Sequence, residues 1–134
     1  MAGAMSEREE YRVAGQAEPI SHYTDAVRAG DLLFVSGVVP VDEEGHLVGE
    51  GDAVEQTRQV FRNIESVLAA GGATIRDVVK VTVYLVDIFD RTRINPVRQE
   101  VFGDVRPAST LVEVSALAVP GALLEIECVA LIPS

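Results

Sequence analysis

Residues 52–87 decide the fold, and they read DAVEQTRQVFRNIESVLAAGGATIRDVVKVTVYLVD. Asp52 is the predicted N-cap of a helix, and Glu55 follows three residues later, as in a capping box. Apolar residues then recur three and four positions apart, which is typical of an amphipathic helix. The predicted buried face consists of Val54, Thr57, Val60, Phe61, Ile64, Val67 and Leu68. The pair Gly71-Gly72 is expected to end the helix, because a left-handed C-terminal turn favours glycine.

The second half of this stretch, Val78 to Val86, has the alternation of a β-strand. Because successive strand residues point to opposite faces, one face is predicted to be apolar and the other polar. The predicted apolar face carries Val79, Val81, Val83 and Leu85, and the opposite face carries Lys80, Thr82 and Tyr84.

Further strands and a second helix are predicted on both sides of this stretch. On the N-terminal side, Thr24–Arg28 and Leu32–Ser36 flank Ala29-Gly30-Asp31 and favour a β-hairpin, which Val38–Val41 extends. On the C-terminal side, we expect a helix over Arg91–Phe102 with Pro96 in its first turn, and strands over Ser109–Val114 and Leu123–Leu131. Residues 1–17 are polar without periodicity and are expected to be a flexible N-terminal segment.

The order ββ-α-β-α-ββ predicts one α+β domain over residues 18–134, with a mixed sheet and both helices on one face. In the last strand, Leu124, Ile126, Cys128 and Ala130 share the predicted core face, and Glu125, Glu127, Val129 and Leu131 share the other. Alternation predicts that Ser109 and Leu111 lie on the Glu125 face and that Thr110 points toward the helices. The sheet face that carries Glu125 is partly apolar and is not covered by a helix, so association of several subunits is predicted to cover it.

Composition and charge exclude several classes of function. The 134 residues include 21 acidic and 11 basic ones, for a net charge of −10, which opposes nucleic-acid binding. The basic cluster of Arg91, Arg93 and Arg98 lies among carboxylates and is interpreted as a solvated helix face. No apolar run approaches a membrane span, so we expect no membrane partner.

The single cysteine and the two histidines give no sign of a redox or metal site. Cys128 has no second cysteine to pair with, which indicates a reducing compartment and favours a cytoplasmic location. Its apolar neighbours predict a core position, and no histidine is placed to activate it. His22 and His46 lack metal-ligand spacing, so no metal and no cofactor is predicted.

Five stretches together resemble the RidA/YjgF family, which is also labelled endoribonuclease L-PSP. They cover most of residues 20–132 in the family's order. They are His22-Tyr23; residues 34–41, FVSGVVPV; Gln56 to Gly71 with Asn63-Ile64 and Ala69-Ala-Gly71; residues 79–87, VKVTVYLVD, followed by Asn95; and residues 106–114, RPASTLVEV, with Leu124-Glu-Ile-Glu127.

This resemblance implies a chorismate-mutase-like fold that forms a trimer with a cleft at each subunit boundary. It implies hydrolysis of reactive enamines and imines to a keto acid and ammonia. In the family, an arginine clamps the substrate carboxylate, a glutamate orients water, and a tyrosine and a serine line the cleft. By motif, the catalytic glutamate corresponds to Glu125, and the small-molecule ligand is expected to contact Tyr23, Ser36, Gly37, Ser109 and Leu111.

One position departs from the family's pattern. The clamp arginine should follow Pro107-Ala108, and Ser109 stands there instead, while Leu111 occupies a position where the deaminases often have cysteine. A bidentate arginine–carboxylate contact contributes roughly 1.5–3 kcal/mol, or about 10- to 150-fold in affinity. The expected substrate is therefore a small imine, enamine or related carbonyl compound other than an ordinary 2-imino acid.

Two functional hypotheses remain open at this point. The first is an enzyme in which Glu125 handles water, and the second is a non-catalytic trimer whose clefts hold a small metabolite. Each site residue also has a structural interpretation: Glu125 as an interface ion pair, Tyr23 as interface packing, and Ser36-Gly37 as turn chemistry. A ribonuclease function, suggested by the family's other label, is opposed by the acidic charge.

Overall fold

A computed structural model describes residues 7–134 as a six-stranded sheet with two helices. The strands are β1 (Arg8–Tyr11), β2 (Ala26–Ala29), β3 (Leu32–Val38), β4 (Val78–Leu85), β5 (Ala108–Glu113) and β6 (Leu124–Leu131), and the helices are α1 (Ala53–Ala70) and α2 (Arg91–Phe102). Short 3-10 turns at Ile75–Asp77 and Ile88–Asp90 precede β4 and α2. No helix of this described part is long and apolar enough to cross a membrane.

The sheet has the order β1-β2-β3-β6-β4-β5, with β4 and β5 parallel and every other pair antiparallel. The buried residues of α1 and α2 pack with the inward residues of the central strands in one apolar cluster. Both helices therefore cover the same face, as predicted, and the mixed α+β sheet is confirmed. We call the other side of the sheet the open face.

Helix α1 forms where its sequence pattern predicts it. The Asp52 carboxylate accepts hydrogen bonds from the backbone N–H groups of Val54 and Glu55, both at 3.1 Å. Seven of the eight residues in its buried stripe are apolar or threonine, and all apolar predictions except Val54 lie fully inside. Gly72 has a φ of 86°, so the left-handed turn after the helix needs glycine at that position.

The N-terminal segment differs from the sequence-based expectation. Arg8–Tyr11, within the stretch predicted to be flexible, forms β1 and pairs with β2 from Arg8↔Ala29 to Tyr11↔Ala26. The apolar alternation that signals a strand is missing there, because β1 is a sheet edge and three of its four residues are exposed. Residues 1–6 of the same predicted segment lie outside the described part of the chain.

Two local predictions on β4 and α2 are wrong. Val79 is 46% exposed and Val78 is buried, because the pairing of β4 with β6 shifts between Val78 and Lys80. Such a bulge reverses the phase of alternation. Pro96 is the sixth residue of α2 rather than part of its first turn.

The phase of β5 is also opposite to the prediction. Ser109 pairs with Val81 and Leu111 with Val83, and both valines face the helices. Leu111 accordingly packs against the core. Thr110 lies on the open face, where its hydroxyl accepts a hydrogen bond from Lys80 Nζ at 2.7 Å. Leu111 and Val112 are consecutive apolar residues, so the pattern leaves the phase of this strand ambiguous.

The open face carries several exposed apolar side chains. They are Leu32, Phe34, Val112 and Leu131, which are between 37% and 49% exposed. Leu32 pairs with Leu131 and Phe34 with Val129, so these side chains form a continuous apolar area across β3 and β6. An apolar sheet face of this kind is typical of a surface that another subunit covers.

Candidate functional site

A surface cleft at one end of the sheet collects four of the six predicted site residues. Tyr23, Ser36, Gly37 and Glu125 all line it, together with Ile20, Ser21 and Val39 and with Ala118 and Val119 of the loop before β6. Its volume is about 410 Å³, which is ample for a small metabolite. Ser109 and Leu111 do not line this cleft.

Glu125 reaches the cleft because β3 is irregular beside it. The pairing between β3 and β6 shifts between Val35 and Val38, which leaves Ser36 and Gly37 out of the regular ladder. A Cβ added at Gly37 would overlap Oε2 of Glu125 and lie 2.8 Å from its Cδ. The carboxyl group therefore rests directly on the Gly37 backbone, an approach that only glycine permits without displacing it.

The surroundings of the Glu125 carboxyl group favour its protonated form. Burial raises the pKa of Glu125, and the nearby negative charge of Glu127 raises it further. Glu127 in turn accepts a hydrogen bond from the Tyr84 hydroxyl, and this bond is the main cause that raises the pKa of Tyr84. A carboxyl group of raised pKa takes up a proton more readily than an ordinary glutamate, which suits a group that acts as both base and acid.

Tyr23 and Ser36 are tied to the backbone on the other side of the cleft. Ser36 Oγ donates to Thr24 O at 2.5 Å, and Ser36 N donates to Asp25 O at 3.0 Å. The Tyr23 hydroxyl accepts a longer hydrogen bond from Ile20 N at 3.4 Å, and the ring is 47% exposed. Ser36 therefore offers a ligand its oxygen lone pairs rather than its proton, while Tyr23 can still donate its hydroxyl proton.

Ser109 lies on the helix side of β5 and not, as predicted, on the face of Glu125. Its hydroxyl accepts a hydrogen bond from Arg98 Nη2 at 2.8 Å. The interpretation of the three α2 arginines as a solvated face holds for Arg91 and Arg93, which are exposed. It is wrong for Arg98, which is half-buried, and burial lowers the pKa of its guanidinium.

Two amides on α1 hold the loops around the cleft, and their role as anchors was missed in the sequence. Gln56 is fully buried; its Nε2 donates to Gly49 O and Gly121 O, and its Oε1 accepts from Leu123 N. Asn63 Nδ2 donates to Val41 O at 2.9 Å. The available signals were their polar character on a helix with an apolar face and their place in the family-like stretch from Gln56 to Gly71.

The remaining titratable candidates have structural roles. Burial raises the pKa of the Cys128 thiol to about 12, as a core position requires. His46 lies within reach of Asp42 and Glu44, so these three could approach one cation. The Asp42 carboxylate already accepts hydrogen bonds from the backbone N–H groups of His46 and Glu44, which lower its pKa and fix the turn.

Comparisons with known proteins match nearly the whole described chain. The family model described as endoribonuclease L-PSP matches residues 14–132. A RutC family protein of Pyrococcus horikoshii is 44% identical over 113 residues, which span 84% of this chain and 89% of that protein. The 3-aminoacrylate deaminase RutC of Acinetobacter baylyi is 39% identical over 116 residues, which span 87% of this chain and 91% of that enzyme.

A solved structure agrees with these sequence matches. It is a Rid family protein of unknown function, YyfA, from Yersinia pestis. It superposes with a TM-score of 0.88 at 34% identity, covering 94% of this chain and all of that one. The matched fold, the matched sequence and the family's residues gathered around Glu125 agree, and the chain belongs to the RidA/YjgF family, whose model is described as endoribonuclease L-PSP.

Proposed function

We propose that this protein hydrolyses a small reactive enamine or imine and releases ammonia, in clefts completed by neighbouring subunits. The observation that carries this proposal is the Glu125 carboxyl, desolvated and seated on Gly37 in a cleft with Tyr23 and Ser36. The similarity to a 3-aminoacrylate deaminase supports the same reaction class.

The chemistry needs one group that moves a proton twice. An enamine first tautomerises to its imine. Glu125 then accepts a proton from water as the water oxygen forms a bond to the carbon of the protonated imine and the carbon–nitrogen π electron pair moves to nitrogen, which gives a neutral carbinolamine. The protonated Glu125 returns this proton to the nitrogen. The carbon–nitrogen bond breaks as the carbinolamine oxygen forms the carbonyl and gives its hydroxyl proton to the Glu125 carboxylate, which passes it to the departing ammonia, so that a carbonyl compound and ammonium leave. A carboxyl group whose pKa is raised by burial suits both steps.

Hydrolysis can be followed directly on an imine made in the assay. An amino-acid dehydratase generates 2-iminopropanoate or 2-iminobutanoate, and the keto acid is detected as it forms. We expect the protein at low micromolar concentration to accelerate keto-acid formation over the spontaneous rate, but only weakly, because Ser109 stands where the family's arginine would hold the carboxylate of these 2-imino acids. Absence of acceleration by a folded protein, together with binding of a small carbonyl compound in the cleft, would instead favour the non-catalytic binding trimer.

We further propose that the assembly is a homotrimer, with the apolar open faces turned toward one another. The exposed Leu32, Phe34, Val112 and Leu131 on that face support association, and the family resemblance supplies the number three. Light scattering at micromolar concentration should give about three times the chain mass of 14.4 kDa. A stable monomer would remove the support for a site between subunits.

A further inference from the structure

A second cavity lies beside the Glu125 cleft, and we call it the inner cavity. Its volume is about 100 Å³, and residues 16–20 and residues of helix α1 contribute to its walls. Six residues line both spaces, namely Ile20, Tyr23, Ser36, Gly37, Val39 and Val119. Gly37 contacts the Glu125 carboxyl and also lines the inner cavity, so a small molecule held at Glu125 lies next to this second space.

Hydrogen bonds on two sides fix the walls of the inner cavity. On the loop side, the Arg12 guanidinium pairs with Asp25 and donates to Gln16 O at 3.3 Å. On the helix side, Asn63 Nδ2 donates to Val41 O at 2.9 Å and ties the segment after β3 to α1. The cavity is therefore already formed in the free subunit, and a ligand group that enters it does not have to order its walls.

The chemistry of the inner cavity favours an apolar group. The aliphatic residues that line it without lining the cleft are Ala17, Val38, Val41 and Val67. The polar side chains of Asp25, Ser36 and Asn63 also reach it, and each is already hydrogen-bonded within the subunit. Glu18 contributes to the lining, but its side chain is 90% exposed to solvent. A charged ligand group would therefore lose its water in this cavity and gain few new partners.

We propose that the inner cavity binds an aliphatic side chain of the substrate while the imine carbon lies at Glu125. An apolar cavity of about 150 Å³ holds a benzene molecule, so a cavity of about 100 Å³ suits a group of roughly three or four carbons. The substrate class is then a small imine or enamine with a branched aliphatic group of that size on the reacting carbon. This inference rests on the proposed function for the reaction and adds the specificity of the same site.

Binding of the side chain can be measured apart from catalysis with two keto acids, whose keto carbon stands for the imine carbon. Pyruvate and 4-methyl-2-oxopentanoate share the 2-oxo acid group and differ in a methyl against an isobutyl side chain. We expect the natural protein to bind 4-methyl-2-oxopentanoate about tenfold or more tightly in an NMR titration, because each buried methylene adds roughly fourfold in affinity. 2-Oxoglutarate, whose side chain ends in a carboxylate, should show no such gain. Nuclear Overhauser effects from the isobutyl methyl groups should reach Val41 and Val67.

Ala17→Leu and Val67→Leu fill the inner cavity from its loop side and from its helix side. Each should reduce the ratio of the two keto-acid affinities to about threefold or less, because the isobutyl group no longer fits. Two variants are used so that a folding defect in one, detected by its Tm, leaves the other as a test. Ala14→Leu is the matched control, because it adds the same group at an exposed position three residues before Ala17 that lines neither space. It should keep the natural ratio.

The outcomes separate the inner cavity from the proposed reaction. Equal affinities for the two keto acids, no binding of either at millimolar concentration, or an unchanged ratio in the filled variants would overturn the inference. Isobutyl contacts confined to the outer cleft, beside Ala118, would also overturn it. Selective binding of 4-methyl-2-oxopentanoate without any imine hydrolysis would support the inner cavity and count against the proposed function. Imine hydrolysis without any preference for the longer side chain would support the function and overturn the inference.

Discussion

Replacing Glu125 with glutamine should lower kcat/KM for imine hydrolysis by about 100-fold or more, because a positioned acid–base group contributes roughly 10²–10⁴-fold. The amide keeps the shape of the side chain but cannot accept a proton from water. Initial rates in the dehydratase-coupled assay measure the loss. If the variant retains more than about a third of the natural kcat/KM in this assay, Glu125 is not the proton carrier.

The same variant should not lose stability at neutral pH. Burial raises the pKa of Glu125 in the folded protein, so its stabilising contribution is present below the unfolded pKa and lost as the pH rises through the folded value. Once ionised, the buried Glu125 carboxylate therefore lowers the free energy of unfolding, and a neutral glutamine does not. An activity loss with unchanged or increased thermal stability separates catalysis from folding.

The pH profile gives a further check on the role of Glu125 as a base. The acid limb of kcat/KM should lie above the ordinary glutamate value of about 4.3, because the folded pKa is raised. Glu127→Gln should move that limb to lower pH, since the charge of Glu127 contributes to the raised pKa of Glu125.

Gly37→Ala keeps the Glu125 carboxyl but displaces it, and should reduce activity with little change in stability.

Gln56→Ala should cost about 3–5 kcal/mol of unfolding free energy, the largest stability effect we expect from one substitution. Gln56 is fully buried, and its amide pairs with Gly49 O, Gly121 O and Leu123 N. Truncation leaves these three backbone groups without their partner, and each unsatisfied group costs about 1–3 kcal/mol. Urea denaturation at a fixed protein concentration measures the change.

Gln59→Ala is the control for this substitution. Gln59 lies one turn further along α1 and is half-buried, and its Nε2 donates to one backbone group, Val41 O, at 3.4 Å, and to the side chain of Asn63 at 3.0 Å. Its loss should cost less than about 1 kcal/mol. Equal costs for the two variants would show that Gln56 does not anchor the start of β6.

Strong periodicity explains which parts of the fold could be predicted from the sequence. Helix α1 has a capping aspartate, a full apolar stripe and a terminal Gly-Gly pair, and β6 alternates without interruption, so both elements match their predictions. Strand β1 is a polar sheet edge and gave no such signal. On β5, the adjacent apolar residues Leu111 and Val112 make the phase of alternation ambiguous. Ser109 was therefore predicted on the wrong face of the sheet.

The candidate site was predictable only where its residues belong to family motifs. Tyr23, Ser36, Gly37 and Glu125 come from three separate stretches, and the structure gathers them in one cleft. The partial burial of Arg98 could not be predicted in this way, because a single arginine in a charged helix resembles a solvated residue. Its contact with Ser109 depends on how α2 packs beside β5, which no local pattern encodes.

A crystal structure of the natural protein soaked with pyruvate tests the proposed site most directly. We expect the ligand in the cleft beside Glu125 and Gly37, with its keto carbon facing the Glu125 carboxyl. Pyruvate bound away from Glu125, or bound there with its keto carbon turned away from the carboxyl, would contradict the proposed site.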